Sequence, residues 1–354
     1  MKKTFALFVG LSLALFATAQ APSNYYNSAN GLTGNQLKVA LHNIIKGHTS
    51  ISYAQLWNAF WSTDNKGNGI VWDMYSDNPG GTPPYTYHLG DDQCGNYTSE
   101  GSCYNREHSW PQSWFSDQST PRTDLHHIFP TDGYVNGRRS NYAYGEVGSA
   151  SWTSRNGSKL GTCKTPGFSG TVFEPIDEYK GDFARALMYM SVRYYSEDGS
   201  WGSSDMTTNA EIKPWAIQLL LRWNEQDPVS QKEIDRNNVI YTDYQHNRNP
   251  FIDHPEYARM IWDPSWNVLE EASGAVYLFP NPVERGQTLH LSGNTHQFDA
   301  VVVCDLCGHT VFKATGRPVG DFAIALPDDM PQGCYIVKLM RNNSVVKYEK
   351  LLVK

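Results

Sequence analysis

The hydrophobic pattern of this chain changes kind near residue 273, and that change limits the architecture more than any other feature. Before it, residues 35–46 (NQLKVALHNIIK), 53–62, 181–195 (GDFARALMYMSVRYY) and 211–225 repeat apolar positions with helical period. After it come short β-rich runs, 299–304 (DAVVVC), 309–313 (HTVFK) and 334–340 (CYIVKLM), separated by Gly, Pro and Asn turns. A helix-period pattern and a strand-period pattern do not share one core. The chain therefore reads as α+β in class: a mixed helical domain over 20–270, then a small all-β sandwich over 275–354, with the boundary in 268–276 (VLEEASGAV). Its 354 residues agree, because single cores rarely grow past ~250 residues.

The first residues read as a leader and are set apart from the fold. Lys2 and Lys3 form a basic start, Phe5 to Phe16 an apolar run, and Ala17-Thr18-Ala19 a small-x-small cleavage site. Signal peptide 1–19 predicts a mature protein beginning near Gln20 and exported from the cytoplasm. No later stretch is long and apolar enough to span a membrane. Export permits disulfides. The six cysteines form two odd clusters, Cys94/Cys103/Cys163 and Cys304/Cys307/Cys334. Cys94–Cys103 is the expected pair, closing a short loop ahead of the polar segments described next. Cys304-x-x-Cys307 has no second CxxC or His pair nearby and reads as structural.

Net charge is −7, and loss of Lys2 and Lys3 makes it −9, which excludes a protein that grips nucleic acid by bulk charge. A local basic groove or a bound cation remains compatible. The 21 Tyr and 11 Trp read mainly as core filler, as do Met188 and Met190.

Functional residue types concentrate in three segments: Asn105-Arg106-Glu107-His108-Ser109-Trp110-Pro111, Asp124-Leu125-His126-His127, and Tyr134-Val135-Asn136-Gly137-Arg138-Arg139-Ser140-Asn141. Phosphodiester hydrolysis needs a base for water, a cation for the charge on phosphorus, and a grip on the phosphate. Neutral His suits the first near pH 7. A hard cation such as Mg²⁺ accepts one carboxylate and one amide oxygen and keeps waters. The guanidinium fork of Arg matches phosphate oxygens. Glu107, His108, Asn136 and Arg139 supply this set. Asn136 and Arg139, three apart, share a face if 131–141 is helical. Gly133 and Gly137 weaken that helix and point to close approach by a sheet or a phosphate. Neighbours on a regular strand face opposite ways, so Glu107 and His108 reach one site only from a strand end or a bulge. Read this way, the set defines a metal-assisted hydrolase, with a zinc phosphoesterase built on His126 and His127 as a competing form.

Together the segments resemble the endonuclease I family of secreted or periplasmic ββα-metal nucleases: E-H-x-x-P (Glu107 to Pro111), D-L-H (Asp124 to His126) and V-N-G-x-R-S-N (Val135 to Asn141). Residues 180–190 (KGDFARALMYM) and 245–255 (QHNRNPFIDHP) look like the same family, and the likeness runs in order from about Gly31 to Trp262. The resemblance implies His108 as general base, Glu107 and Asn136 as Mg²⁺ ligands with Mn²⁺ and Ca²⁺ as alternatives, and Arg139 as a phosphate-binding residue. It implies supporting roles for His126, Gln245, Asn247 and Asn249. His127 stands where relatives often have Asn. The family's additional Arg between the first two motifs has only Arg122 to match it. The implied activity is cleavage of DNA, and often RNA, without strong sequence preference, leaving 5′-phosphate and 3′-hydroxyl ends.

The C-terminal segment resembles a type IX secretion sorting domain, through Phe279-Pro280-Asn281-Pro282-Val283, Gly333-Cys334-Tyr335 and the terminal Lys350-Leu351-Leu352-Val353-Lys354. This implies the type IX secretion machinery as a partner and a secreted or cell-surface location; separately, the chain is read as a monomer. A carbohydrate-binding or spacer sandwich is the bland counterpart. The alternative from another class is a catalytically degenerate surface protein that binds nucleic acid or glycans.

Overall fold

The computed structural model describes residues 21–263, 276–293, 298–306, 308–315, 322–341 and 344–354. The expected leader and boundary segment lie outside these. The chain divides into two compact units, one ending at Trp262 and one beginning at Asp263.

The first unit is built around one buried helix. α1 (Gly34–Ile45) and α2 (Gln55–Thr63) turn apolar stripes inward, with Leu37, Leu41 and Ile45 on one and Leu56, Ala59 and Phe60 on the other. A long non-regular stretch follows, as its Pro and Gly breakers predict, and ends in the Cys94–Cys103 disulfide. β1 (Tyr104–His108) pairs antiparallel with β2 (Ile128–Asp132), His108 opposite Ile128. β2 runs directly into α3 (Gly133–Arg139), started by the Asp132 side chain accepting the Val135 N–H at 2.7 Å.

Four short strands then form a sheet in the order β3-β6-β5-β4: β3 (Ala143–Tyr144), β4 (Val147–Thr153), β5 (Lys159–Cys163) and β6 (Thr171–Glu174). α4 (Lys180–Arg193) is buried at every residue. Arg185 and Arg193 are buried with the rest. Arg185 can be buried because Glu233 answers its guanidinium with both carboxylate oxygens. Met188 and Met190 are fully buried filler.

After the two-residue strands β7 (Thr207–Thr208) and β8 (Glu211–Ile212), α5 (Pro214–Gln226) packs on α4. α6 (Gln231–Val239) opens with a Ser230/Glu233 capping box and passes into a π turn, Ile240–Tyr244. His246, at φ +59°, reverses the chain so that residues 245–249 pass beneath the polar segments. α7 (Pro250–Asp253) and α8 (Tyr257–Trp262) close the unit.

The second unit is all β. β9 (Val276–Phe279), β10 (Thr288–Gly293) and β13 (Phe322–Ala325) form one sheet in the order β13-β10-β9. β11 (Ala300–Cys304), β12 (Thr310–Thr315), β14 (Gly333–Arg341) and β15 (Ser344–Val353) form the other, in the order β12-β11-β14-β15. Leu289, Leu291 and Ile324 from the first share a core with Val301, Val303, Val337, Leu339 and Leu351 from the second. Two sheets over one core make a sandwich. Cys304 is buried in β11, whereas Cys307 lies outside the described residues.

Candidate active site

His108 is the last residue of β1, so the Glu107–His108 pair sits at the strand end that its sequence adjacency demanded. Glu107 is buried, and every hydrogen bond to its carboxylate lands on Oε1: from Tyr75 Oη at 3.0 Å, Arg139 Nη1 at 3.0 Å and Tyr144 Oη at 3.4 Å. Among the described residues no protein donor reaches Oε2. Burial pushes the Glu107 carboxyl up, against the opposing pull of Arg139 and the two tyrosine hydroxyls.

The His108 Nε2 lies 3.0 Å from the Arg122 carbonyl oxygen. A carbonyl only accepts, so the proton sits on Nε2 and the lone pair on Nδ1. Gln112 Nε2 is 3.4 Å from that Nδ1. Burial and the neighbouring His127 push the imidazole down to about 3, so it is neutral at physiological pH. α3 delivers Asn136 to the same place. Its Nδ2 donates to Asn105 Oδ1 at 2.7 Å, and among the described residues no protein donor reaches its Oδ1. Glu107, His108, Asn136 and Arg139 line one cleft of about 330 Å³, with Arg106, Gln112 and Asn141.

The sequence reading gave Arg139 to phosphate; the structure spends it on the protein. Its side chain is 1% exposed. Beyond Glu107, it donates to the His108 carbonyl at 2.9 Å and the Ser109 carbonyl at 2.6 Å, and it lies 4.5 Å over the Tyr144 ring. Gly133 and Gly137 also differ from expectation. They admit a tyrosine ring, not a sheet or a phosphate. A Cβ on either would stand 2.6 Å from Tyr97, which lies in the loop closed by the expected Cys94–Cys103 disulfide.

Asp124 ties the supporting residues together. It accepts from Tyr189 Oη and Tyr194 Oη at 2.9 Å each and from Gln245 Nε2 at 2.9 Å. Burial alone would raise this carboxyl, but His48, His126 and His127 hold it well below the usual carboxylate range. His126 Nε2 donates to the Asn247 carbonyl at 3.2 Å, and His127 Nε2 to the Pro121 carbonyl at 2.6 Å. Burial pushes both imidazoles down to about 4. Asn247 Nδ2 reaches the Ile45 carbonyl and Tyr189 Oη, and Asn249 Nδ2 the Arg185 carbonyl. His126 and His127 are thus turned toward different carbonyls. Among the described residues no group of three or more His, Cys, Asp or Glu could hold a metal ion, so the zinc form finds no ligand set.

Two further cations stack on aromatic rings beside the cleft. The Arg106 guanidinium lies 3.6 Å over the Tyr53 ring and 4.4 Å over Trp57, and that of Arg122 lies 4.3 Å over Tyr53. Arg122 was read as a phosphate ligand, but Arg106 was passed over. The signal for Arg106 was strand alternation, since Arg106 and His108 share one face of β1.

A buried carboxylate with one oxygen free of protein donors among the described residues, a neutral imidazole with a fixed tautomer and a helix-borne amide thus line one cleft. The chain belongs to the endonuclease I family, whose model matches residues 33–256, and it is a nuclease. It is 40% identical over 267 residues to the extracellular ribonuclease of Bacillus amyloliquefaciens, covering 72% of this chain and 84% of that protein. It is likewise 40% identical over 264 residues to the extracellular ribonuclease of Bacillus subtilis strain 168, covering 71% and 83%. A periplasmic deoxyribonuclease of Aeromonas hydrophila is 28% identical over 132 residues, covering 37% of this chain and 47% of that one.

Proposed function

We propose that the protein is a secreted, Mg²⁺-dependent endonuclease that cleaves RNA and DNA without strong sequence preference, leaving 5′-phosphate and 3′-hydroxyl ends. One observation carries this reading. Among the described residues no protein donor reaches Glu107 Oε2 or Asn136 Oδ1, and His108 Nδ1 meets only the Gln112 amide, at 3.4 Å; the three side chains line a single cleft. Two oxygens of this kind suit a hard cation that keeps several waters, and Glu107 and Asn136 would hold it. Bound there, Mg²⁺ supplies positive charge to the phosphorane and the leaving oxygen.

The chain's own residues do the rest. His108 Nδ1 takes a proton from water while the Arg122 carbonyl keeps the ring's other proton in place. The water's oxygen bonds to phosphorus in line, the P–O3′ bond breaks with its electron pair on the 3′ oxygen, and that oxygen takes a proton from solvent water to leave as the 3′-hydroxyl. Arg139 aligns Glu107 and the end of β1, and Arg122 is the cation we assign to the scissile phosphate. His126, His127, Gln245, Asn247 and Asn249 hold the loop that carries the Arg122 carbonyl. The intact set of open groups weighs against a degenerate binding protein.

The ribonuclease names of the relatives covered over most of their length favour RNA as a substrate, and the deoxyribonuclease names support DNA as well. Their extracellular and periplasmic designations support secretion through the leader. For the sorting role, the ends of the second unit meet: Asn281 Nδ2 donates to the Lys350 carbonyl at 2.7 Å, and Asn281 Oδ1 accepts the Leu352 N–H at 3.0 Å. The Pro-Asn-Pro start and the terminal Lys-Leu-Leu-Val-Lys are thus tied together, with Leu351 and Val353 in the core and Lys350, Leu352 and Lys354 exposed, an edge suited to recognition by secretion machinery.

The deciding experiment is digestion of supercoiled plasmid and of RNA by residues 20–354, with Mg²⁺ or EDTA, beside His108→Ala. The reading expects Mg²⁺-dependent cleavage that falls by several orders of magnitude in the variant. Full activity in His108→Ala would remove the base, and absence of cleavage with every metal would remove the reading.

A further inference from the structure

Most aromatic side chains of the first unit are buried core, but Tyr53 and Trp57 are half-buried beside the cleft. With Gln93, Gly95, Asn105 and Arg106 they line a second cavity of about 370 Å³. Arg106 lines this cavity and the catalytic cleft alike, so the two are neighbours across one guanidinium. That guanidinium is held in place before any ligand arrives. Two aromatic rings stack on it, and its Nη1 donates to the Tyr53 carbonyl at 2.8 Å.

Its charge is nonetheless unanswered. Among the described residues no carboxylate forms an ion pair with Arg106, and its Nε is buried without a hydrogen-bond partner. Burial lowers its pKa, and the nearby Arg122 adds to that. A guanidinium fixed by stacking, short of acceptors and next to a second cation lacks an anion. Arg139 also has an Nε without a partner, but its charge is answered by Glu107 and by the His108 and Ser109 carbonyls.

We infer that Arg106, set on Tyr53 and Trp57, binds the backbone phosphate next to the scissile one, with the intervening nucleoside in the cavity of Gln93, Gly95 and Asn105. The ligand class is a polynucleotide strand carrying at least two consecutive phosphates. Arg106 is then a residue that positions the strand, not one that takes part in bond breaking. Selection of polymer over single phosphodiesters follows, because only a chain spans both sites. This rests on the nuclease reading above.

The test restores one charge at a time. A short oligonucleotide is made with one natural linkage and neutral methylphosphonates elsewhere, and natural charge is then returned to one neighbouring linkage. Wild type should gain about tenfold in kcat/KM from one neighbour, the scale of one charged contact to phosphate. Arg106→Gln should gain nothing, and Arg106→Lys, which keeps the charge but not the stacked fork, should gain part of it. The gain is a ratio within each variant, so a general loss of activity does not mimic the result. A full gain retained by Arg106→Gln overturns the inference, as does the absence of any gain in wild type. A second arm reads binding of a fluorescent single-stranded oligonucleotide in EDTA. Weakened binding by Arg106→Gln supports the subsite even if wild type fails to cleave plasmid with Mg²⁺, a failure that would instead count against the nuclease mechanism. Equal binding by wild type and variant overturns the subsite whatever the cleavage result.

Discussion

Replacing Arg139 by Gln should damage the fold before it damages the chemistry. The wild-type guanidinium makes three hydrogen bonds, to Glu107 Oε1, the His108 carbonyl and the Ser109 carbonyl, with its side chain and that of Glu107 1% and 2% exposed. Gln cannot reach all three and brings no charge. The Glu107 carboxylate would be left buried with two tyrosine hydroxyls and no cation. Breaking a buried pair by removing one partner costs about 3–5 kcal/mol. In a domain of this size each kcal/mol moves Tm by about 2–4 °C, so a fall of about 6–20 °C is expected. Differential scanning calorimetry of the first unit's transition, with and without Mg²⁺, measures it. Glu107→Gln in the same background should recover part of the loss, because it removes the stranded charge. An unchanged Tm, with a deficit confined to kcat/KM, would refute this reasoning and return Arg139 to the substrate.

Other consequences can be checked directly. Because burial holds His108 down to about 3, its imidazole in the metal-free protein should stay neutral to about pH 5 in an NMR titration, and a midpoint near 6.5 would contradict the geometry. The sign for stability follows. The unfolded imidazole takes up a proton below about 6.5 and the folded one does not, so His108 contributes stability above that pH and loses it as pH falls toward 3, a difference that His108→Gln should remove. Burial raises the Glu107 carboxyl, so its charge is a liability at neutral pH that Mg²⁺ should relieve. Saturating Mg²⁺ should add about 2.7 kcal/mol at a hundred times Kd, seen as a Tm rise that Glu107→Gln abolishes. Gly137→Ala should destabilise the wild type by about 1–3 kcal/mol through its clash with Tyr97. In a Tyr97→Ala background the same change should stabilise by about 1 kcal/mol, since Ala is the better helix former, and an unchanged sign would refute the packing account.

Periodicity carried α1, α2 and α4, and α5 apart from its start, where 211–212 form β8 instead, but it did not reveal α6, α7 or α8. The sequence also carried the strand-end condition on Glu107 and His108, which is a consequence of backbone alternation alone. The fate of Arg139 was not legible. Its pairing with Glu107 and with the His108 and Ser109 carbonyls depends on Tyr75 and Tyr144 and on the turn after β1, and these meet only in the folded chain. Local spacing says that Asn136 and Arg139 share a face, but not whether that face meets solvent or protein. The same holds for Gly133 and Gly137, whose neighbour Tyr97 is brought over them by a disulfide loop. The burial of Arg185 likewise hangs on Glu233, 48 residues away.

α3, the helix that carries Asn136, has only seven residues. Isolated helices of fewer than about 12–15 residues barely form in water, so this one borrows its order from what lies on it. Tyr97 covers its glycines, Asp132 caps its start, and Asn105 fixes its amide. The hairpin-and-helix stretch 104–139 contains the open carboxylate, imidazole and amide, yet it is not a portable module. Grafted onto another scaffold without residues 94–103, Tyr75 and Tyr144, it would carry the right side chains on a backbone with no reason to hold them.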